Sequence, residues 1–187
     1  PRDAESVGVS TVYQEIDLVP TLSVAENICL GRQPTRFGFI RWGAVRRRAK
    51  EALARLDMAI DVDRLLREYP IAVQQMVAIS RALDIDARVL ILDEPTSSLD
   101  ANETRELFRV ITSLKSRGMG IVFVSHFLDQ VYEVSDRVTV LRNGRNVGVW
   151  NASDLPRSQL IEAMTGRKIA QLAPVDRAVS ASSSADR

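Results

Sequence analysis

Two short apolar runs constrain this chain more than anything else in it. Val89–Asp93, "VLILD", is four apolar residues closed by an acid; Gly120–His126, "GIVFVSH", is a second apolar run closed by Ser-His. Runs this short and this apolar read as strands buried on both faces of a parallel sheet. Segments with helical spacing surround them. "WGAVRRRAKEALARLDM" lines up Val45, Ala49, Ala52 and Leu56, "AVQQMVAISRAL" contributes Val77, Ile79 and Leu83, and another helix is expected from about Asn102 to Arg117. Strands alternating with helices predict an α/β domain with a largely parallel sheet.

Around this frame, Val9 to Tyr13 reads as a short strand ending at Gln14, and Ser23 as the N-cap of a short helix with Glu26 beside it. "RVTVLRNGRNVGVW" predicts a β-hairpin, with Asn143–Gly144 as a turn that favours positive φ. A last helix is expected from about Pro156 to Met164. Beyond Ala173 the Ser-rich, apolar-poor composition predicts a disordered tail or interdomain linker. The expected organisation is one domain over 1–167, with a helical subdomain at about 20–85, followed by a tail over 168–187.

Composition excludes several function classes. At 187 residues and 45% hydrophobic content the chain can fill a core, and a net charge of +1 gives no support for a nucleic-acid-coating surface. Arg46, Arg47 and Arg48 form an isolated triplet diluted by Glu51 and Asp57, so they read as a solvated helix face. Cys29 is alone, which leaves no disulfide framework or CxxC pattern and fits a reducing, cytosolic setting. No apolar run approaches the ~20 residues of a membrane helix, so any membrane would be met through a partner.

Asp93 and Glu94 need an opposite charge, because buried carboxylates are costly unless paired or densely hydrogen-bonded. Acids at strand ends stand where α/β proteins place ligand chemistry. An Asp there can hold Mg²⁺, and a Glu one residue on can orient or deprotonate a water. By themselves the two acids would read as caps of a following turn, and His126 as a capping or core histidine.

Their company changes that reading. "RVLILDEPTSSLD", followed some two dozen residues later by "IVFVSH", resembles the Walker B strand, D-loop and H-loop of ABC-type ATPases. "TVYQEIDLVPTLSVAENICLGR" resembles their Q-loop in the sugar-importer branch of ribose, galactose and xylose type, and "AVQQMVAISRAL" resembles that branch's signature helix. The matches run in the family's order from Pro1 to about Arg167. The resemblance implies a P-loop NTPase-like parallel sheet with a helical subdomain, and ATP with Mg²⁺ as cofactors. It assigns Asp93 and Gln14 to Mg²⁺, Glu94 to the hydrolytic water, and His126 to the γ-phosphate, with Gln14 also sensing a transmembrane partner. Asp100 and Ser98 would face the nucleotide of a second nucleotide-binding domain, and Asp100 would also cap the helix that follows it. The implied function is the ATP-hydrolysing part of a carbohydrate importer at the cytoplasmic face of the membrane. Its partners would be a second nucleotide-binding domain, permease subunits and, indirectly, a sugar-binding protein outside the membrane.

Two departures stand out. A phosphate loop needs G-x-x-x-x-G-K-[ST], so that backbone N–H groups cradle the phosphates. Lys50, Lys115 and Lys168 follow Ala49, Leu114 and Arg167, so no Lys in these 187 residues follows a Gly. In the family that loop precedes the Q-loop by a few dozen residues, and an N-terminal truncation is the expectation. The isolated chain is then expected to be inactive and poorly soluble, because the "GIVFV" strand would present an unpaired apolar edge. Second, the residues aligned with the family's LSGGQ signature are Tyr69, Pro70, Ile71, Ala72 and Val73. Pro70 has neither the hydroxyl nor the N–H that would grip phosphate, which implies one weak composite site. Two other readings stay open: a non-catalytic module that docks on a permease or on intact ATPases, and a non-transport ABC protein acting on ribosomes or DNA. The sugar-type Q-loop and the lack of a basic arm weigh against the last.

Overall fold

The computed structural model describes residues 2–13 and 17–167. Gln14 and the tail expected over 168–187 therefore lie outside the described residues. The chain divides into two compact units, Pro1–Val134 and Ser135–Arg187, where the sequence reading drew one domain to residue 167. In the first unit the order is α1 (Arg2–Ser6), β1 (Val9–Val12), α2 (Val24–Ile28), β2 (Thr35–Arg36), β3 (Phe39–Ile40), α3 (Trp42–Ala54), α4 (Ile71–Asp84), β4 (Val89–Asp93), α5 (Ala101–Ser116), β5 (Gly120–Val124) and α6 (Leu128–Val134). The second unit holds β6 (Arg137–Arg142), β7 (Arg145–Asn151) and α7 (Arg157–Thr165).

β1, β4 and β5 form a parallel sheet with β4 in the middle. Leu90 and Leu92 are fully buried and pack with Ile79 and Leu83 of α4 and with Leu107 and Ile111 of α5. Burying each such Leu contributes about 1.5–3 kcal/mol. Their register neighbours on β5, Ile121 and Phe123, join the same core. The opposite face differs from expectation. Val89, Ile91 and Asp93 are only half-buried, and Val122 and Val124 are 48% and 44% exposed. The strands are thus buried on one face rather than two, because α4 and α5 cover the same side. β5 pairs only with β4 among the described residues, so the unpaired apolar edge expected from the sequence is present.

A second cluster makes the helical part. Val24 and Ile28 of α2, Val45, Ala49 and Leu53 of α3, and Val77 of α4 bury one another together with Val62 and Leu66. A five-residue helix such as α2 is too short to hold alone. The sequence supplies a capping box: Ser23 Oγ accepts from the Glu26 N–H, and Glu26 Oε2 accepts from the Ser23 N–H. Asn27 completes the anchor from a fully buried position. Its Oδ1 accepts from the Val19 N–H at 2.7 Å, and its Nδ2 donates to the Val19 and Ser23 carbonyls, each at 3.0 Å. Asn27→Ala would leave those backbone groups unpaired in the core. It is expected to lower the unfolding free energy by about 2–3 kcal/mol in urea titration, and a loss near zero would contradict this account.

The β2–β3 hairpin was not legible in the sequence, because each strand is two residues long. Its turn places Phe37 at φ 52° and Gly38 at φ 81°, the positive-φ pair of a type I′ turn. Gly fits that geometry freely; Phe does so at a cost of roughly 1–2 kcal/mol. In the second unit the expected hairpin forms β6 and β7, with Asn143 and Gly144 at φ 52° and 73°. Gly166, at φ 74°, ends α7 in the left-handed conformation.

Cys29 is fully buried under α3, its thiol 3.7 Å from the Val45 carbonyl. Burial, and then the Asp84 charge, push the thiol above its ordinary pKa against smaller opposing pulls from Arg48 and Arg32. The folded state therefore favours the neutral thiol. That contribution to stability is fully present below the unfolded-chain pKa and is lost as pH rises through the folded one. Iodoacetamide at pH 8 should modify Cys29 only as fast as the chain unfolds. Rapid modification of the folded protein would show the thiol to be accessible.

Candidate functional site

β4 and β5 run side by side and stop together, Asp93 in register with Val124. At that shared end the chain turns twice. Glu94 leaves β4 at φ 44°, a left-handed conformation unusual for a long side chain. Its N–H donates to the Val124 carbonyl at 2.9 Å, and its carbonyl accepts from the Ser97 N–H at 3.2 Å. Ser125 ends the other turn, its Oγ accepting from the Phe127 N–H at 3.0 Å. The result brings together two residues 32 apart in sequence: His126 Nδ1 lies 3.0 Å from Glu94 Oε1.

Both groups are reachable from solvent, the side chains being 58% exposed for His126 and 28% for Glu94. The His126 ring also packs on Phe127, with centroids 4.1 Å apart. Asp93 is half-buried on the open face of the sheet. The Glu94 carboxylate reaches His126 and not the turn that follows it, and His126, being exposed, is no core residue. Among the described residues no group of three or more His, Cys, Asp and Glu side chains gathers around one point. Asp93 would therefore offer one ligand position rather than a cage.

The remaining sequence candidates are distributed around this end. Asp100 caps α5, its Oδ1 accepting from the N–H groups of Asn102 at 2.7 Å and Glu103 at 2.9 Å, and Glu103 returns a bond to the Asp100 N–H. Ser98 is exposed on the turn between Glu94 and α5. Pro70 occupies the N-cap position of α4 without a side-chain bond, as its chemistry requires, and Ile71 is exposed. Ala72 and Val73 line a half-open cavity of about 440 Å³ with Leu56, Met58, Met76 and Val110. The structure thus joins Glu94 to His126 and places the signature-aligned residues elsewhere on the same unit. The sequence reading missed the bond that holds the turn: Thr96 Oγ1 donates to Gln130 Oε1 of α6 at 2.6 Å. Thr96, buried amid "PTSSLD", was the only available signal.

Comparison with known proteins places the chain in a family. A family model described as ABC transporter matches residues 1–97. Over 166 residues the chain is 49% identical to the galactofuranose transporter ATP-binding protein of Escherichia coli K12, covering 89% of this chain and 33% of that protein. It is 49% identical over 172 residues to a ribose import ATP-binding protein of Rubrobacter xylanophilus, covering 92% and 34%. The chain spans about one third of the length of these curated relatives. Among solved structures it resembles a dimeric, post-hydrolysis ATP-binding cassette bound to ADP and Pi, with TM-score 0.63, 23% identity, and coverage of 77% of this chain and 62% of that one. It also resembles a nucleotide-free cassette from an ABC transporter, with TM-score 0.70, 18% identity, and coverage of 92% and 70%. At these identities the structural likeness establishes the α/β, P-loop NTPase-like fold alone. Among the described residues no helix is long and apolar enough to cross a membrane. With more than half its length matched by the family model, the chain belongs to the ABC transporter family.

Proposed function

We propose that this chain carries the hydrolytic end of a nucleotide-binding domain that powers carbohydrate import, working at the cytoplasmic face of a membrane through permease subunits. The observation that carries the proposal is the Glu94–His126 pair, held 3.0 Å apart at the open ends of β4 and β5. The names of the relatives, ATP-binding proteins for galactofuranose, ribose and fructose transport, support it.

The donor set suits a magnesium ion: Mg²⁺ keeps most of its waters and takes phosphate oxygens, so it asks a protein for only one or two carboxylates. Asp93 would supply one and Gln14 a further oxygen. In bound MgATP the metal ion would supply the positive charge the acids need, and the nucleotide the phosphorus centre that water attacks. Glu94 orients that water and takes its proton. His126 donates toward the terminal phosphate oxygens, where charge grows in the transition state. Asp100 and Ser98 present the turn before α5 to a second nucleotide-binding domain, and Pro70 to Val73 form a weakened anion grip toward that domain's nucleotide. These residues fit the metal and terminal-phosphate end of the nucleotide. The cradle for the rest of the triphosphate is not in the 187 residues. In a docking module without turnover the Glu94–His126 pairing would serve only to join the two turns.

The test is a chimaera in which residues 9–167 replace the matching segment of the Escherichia coli relative, which supplies its own phosphate loop. The chimaera should hydrolyse MgATP and support galactofuranose uptake. A folded chimaera that binds MgATP without turning it over would overturn the hydrolytic reading and favour the docking module.

A further inference from the structure

The region between α2 and the end of α3 carries a charge pattern that nothing in the hydrolytic site uses. From Asn27 to Lys50 there is no acid, yet there are seven cations, in a chain whose net charge is only +1. Three of them are engaged: Arg46 with Asp63, Arg47 with Glu51 and Arg48 with Asp84. Arg36, Arg41 and Lys50 are exposed, and none forms an ion pair among the described residues. Between these cations stands an apolar projection. Phe37 is 87% and Phe39 79% exposed, with Ile40 and Trp42 also exposed behind them. Every residue from 35 to 43 is exposed.

The backbone makes the projection harder to dismiss as incidental. Phe37 occupies a positive-φ position, at 52°, that Asn or Gly would fill without strain. A bulky ring is thus held, strained and uncovered, at the outermost point of the hairpin. Strain retained at an exposed tip is an observation from which function is properly inferred. The Arg36 guanidinium lies 5.2 Å over the Phe37 ring, so cation and aromatic are presented together.

We propose that the β2–β3 hairpin, with the exposed start of α3, docks on an anionic lipid surface. Phe and Trp rings settle at the boundary between headgroups and acyl chains, while Arg and Lys pair with lipid phosphates. A convex tip carrying one sign of charge suits a broad anionic surface. A protein partner would need a pocket that is apolar at its base and acidic at its rim. The contact is reversible: three rings and the cations beside them form a weak anchor that acts beside a stronger one. This inference does not depend on ATP hydrolysis.

The experiment is flotation of the full chain with phosphatidylcholine vesicles, with and without phosphatidylglycerol. Aggregated protein does not float, so flotation separates lipid binding from self-association. The chain should float only with phosphatidylglycerol vesicles, and less so as salt rises. Phe37→Asn with Phe39→Thr should lower the bound fraction about tenfold. Asn is the favoured residue in that turn, so the variant's melting temperature should hold or rise, which excludes unfolding as the cause. Arg36→Gln with Arg41→Gln should weaken binding and flatten its salt dependence. A wild-type chain that ignores both vesicles, or floats equally with both, overturns the proposal, as do variants that bind like the wild type. A chain that floats only with vesicles carrying permease subunits would overturn it too, and would assign the hairpin to a protein contact.

Discussion

Replacing Glu94 with Gln in the chimaera should lower MgATP hydrolysis about a hundredfold, the low end of what a positioned general base contributes. Nucleotide binding and thermal stability should stay near those of the parent. The expectation of an intact fold follows from how Glu94 is held. Its unusual φ of 44° is maintained by main-chain bonds, the N–H to Val124 and the carbonyl from Ser97, which the substitution leaves in place. Gln has the same length and still reaches His126, so the geometry of the pair persists while the basic oxygen is lost. Residual turnover would come from the second composite site. Single-turnover assays with nucleotide trapped on each domain would separate the two. A Glu94→Gln chimaera within threefold of its parent would remove Glu94 from the chemistry and leave its contact with His126 as a structural one.

Asp84→Ala should cost about 3 kcal/mol of unfolding free energy, read as a shift of the urea midpoint at unchanged slope. Asp84 ends α4 with its side chain only 5% exposed, and its Oδ1 lies 2.5 Å from Arg48 Nε. An acid at a helix C-terminus is opposed by the helix dipole, so the cations around it are part of the arrangement. Arg48 contacts the Asp84 carboxylate, and the Arg55 guanidinium donates to the Leu83 carbonyl at 2.6 Å. Removing the carboxylate would leave Arg48 half-buried without its partner, close to Arg32, one of whose guanidinium nitrogens is buried with no bond. The loss is placed at the low end because Arg48 keeps partial access to water. The double variant Arg48→Met, Asp84→Leu should recover most of the stability, since apolar residues of similar volume can replace a buried ion pair. A loss under about 1 kcal/mol for Asp84→Ala would put this pair with ordinary surface ion pairs.

How much of this was legible without a structure depended on the range of the forces involved. Features closed within a few residues could be read directly. The Ser23–Glu26 capping box, the Asn143–Gly144 turn, the Asp100 cap of α5 and the helical stripe of Val45, Ala49 and Ala52 each depend on local bonding or local period. The motif order that resembles ABC-type ATPases was equally visible, because it is a property of the string of residues. The β2–β3 hairpin escaped because strands of two residues have no period to detect. The burial of β4 was misread because an apolar run does not record on how many faces a layer of helices will close over it.

By itself, then, the sequence marked the candidate residues for the chemistry, the longer helices and strands, and the family the chain resembles; these follow from local propensity and from the identity of the side chains. Only the tertiary structure decided that Glu94 meets His126 at 3.0 Å, that Asp84 is answered by Arg48 from 36 residues away, and that among the described residues helices cover one face of the central sheet. Those outcomes depend on contacts between segments distant in the chain. No term acting over a few neighbouring residues encodes such contacts, and packing selects them only when the whole unit closes.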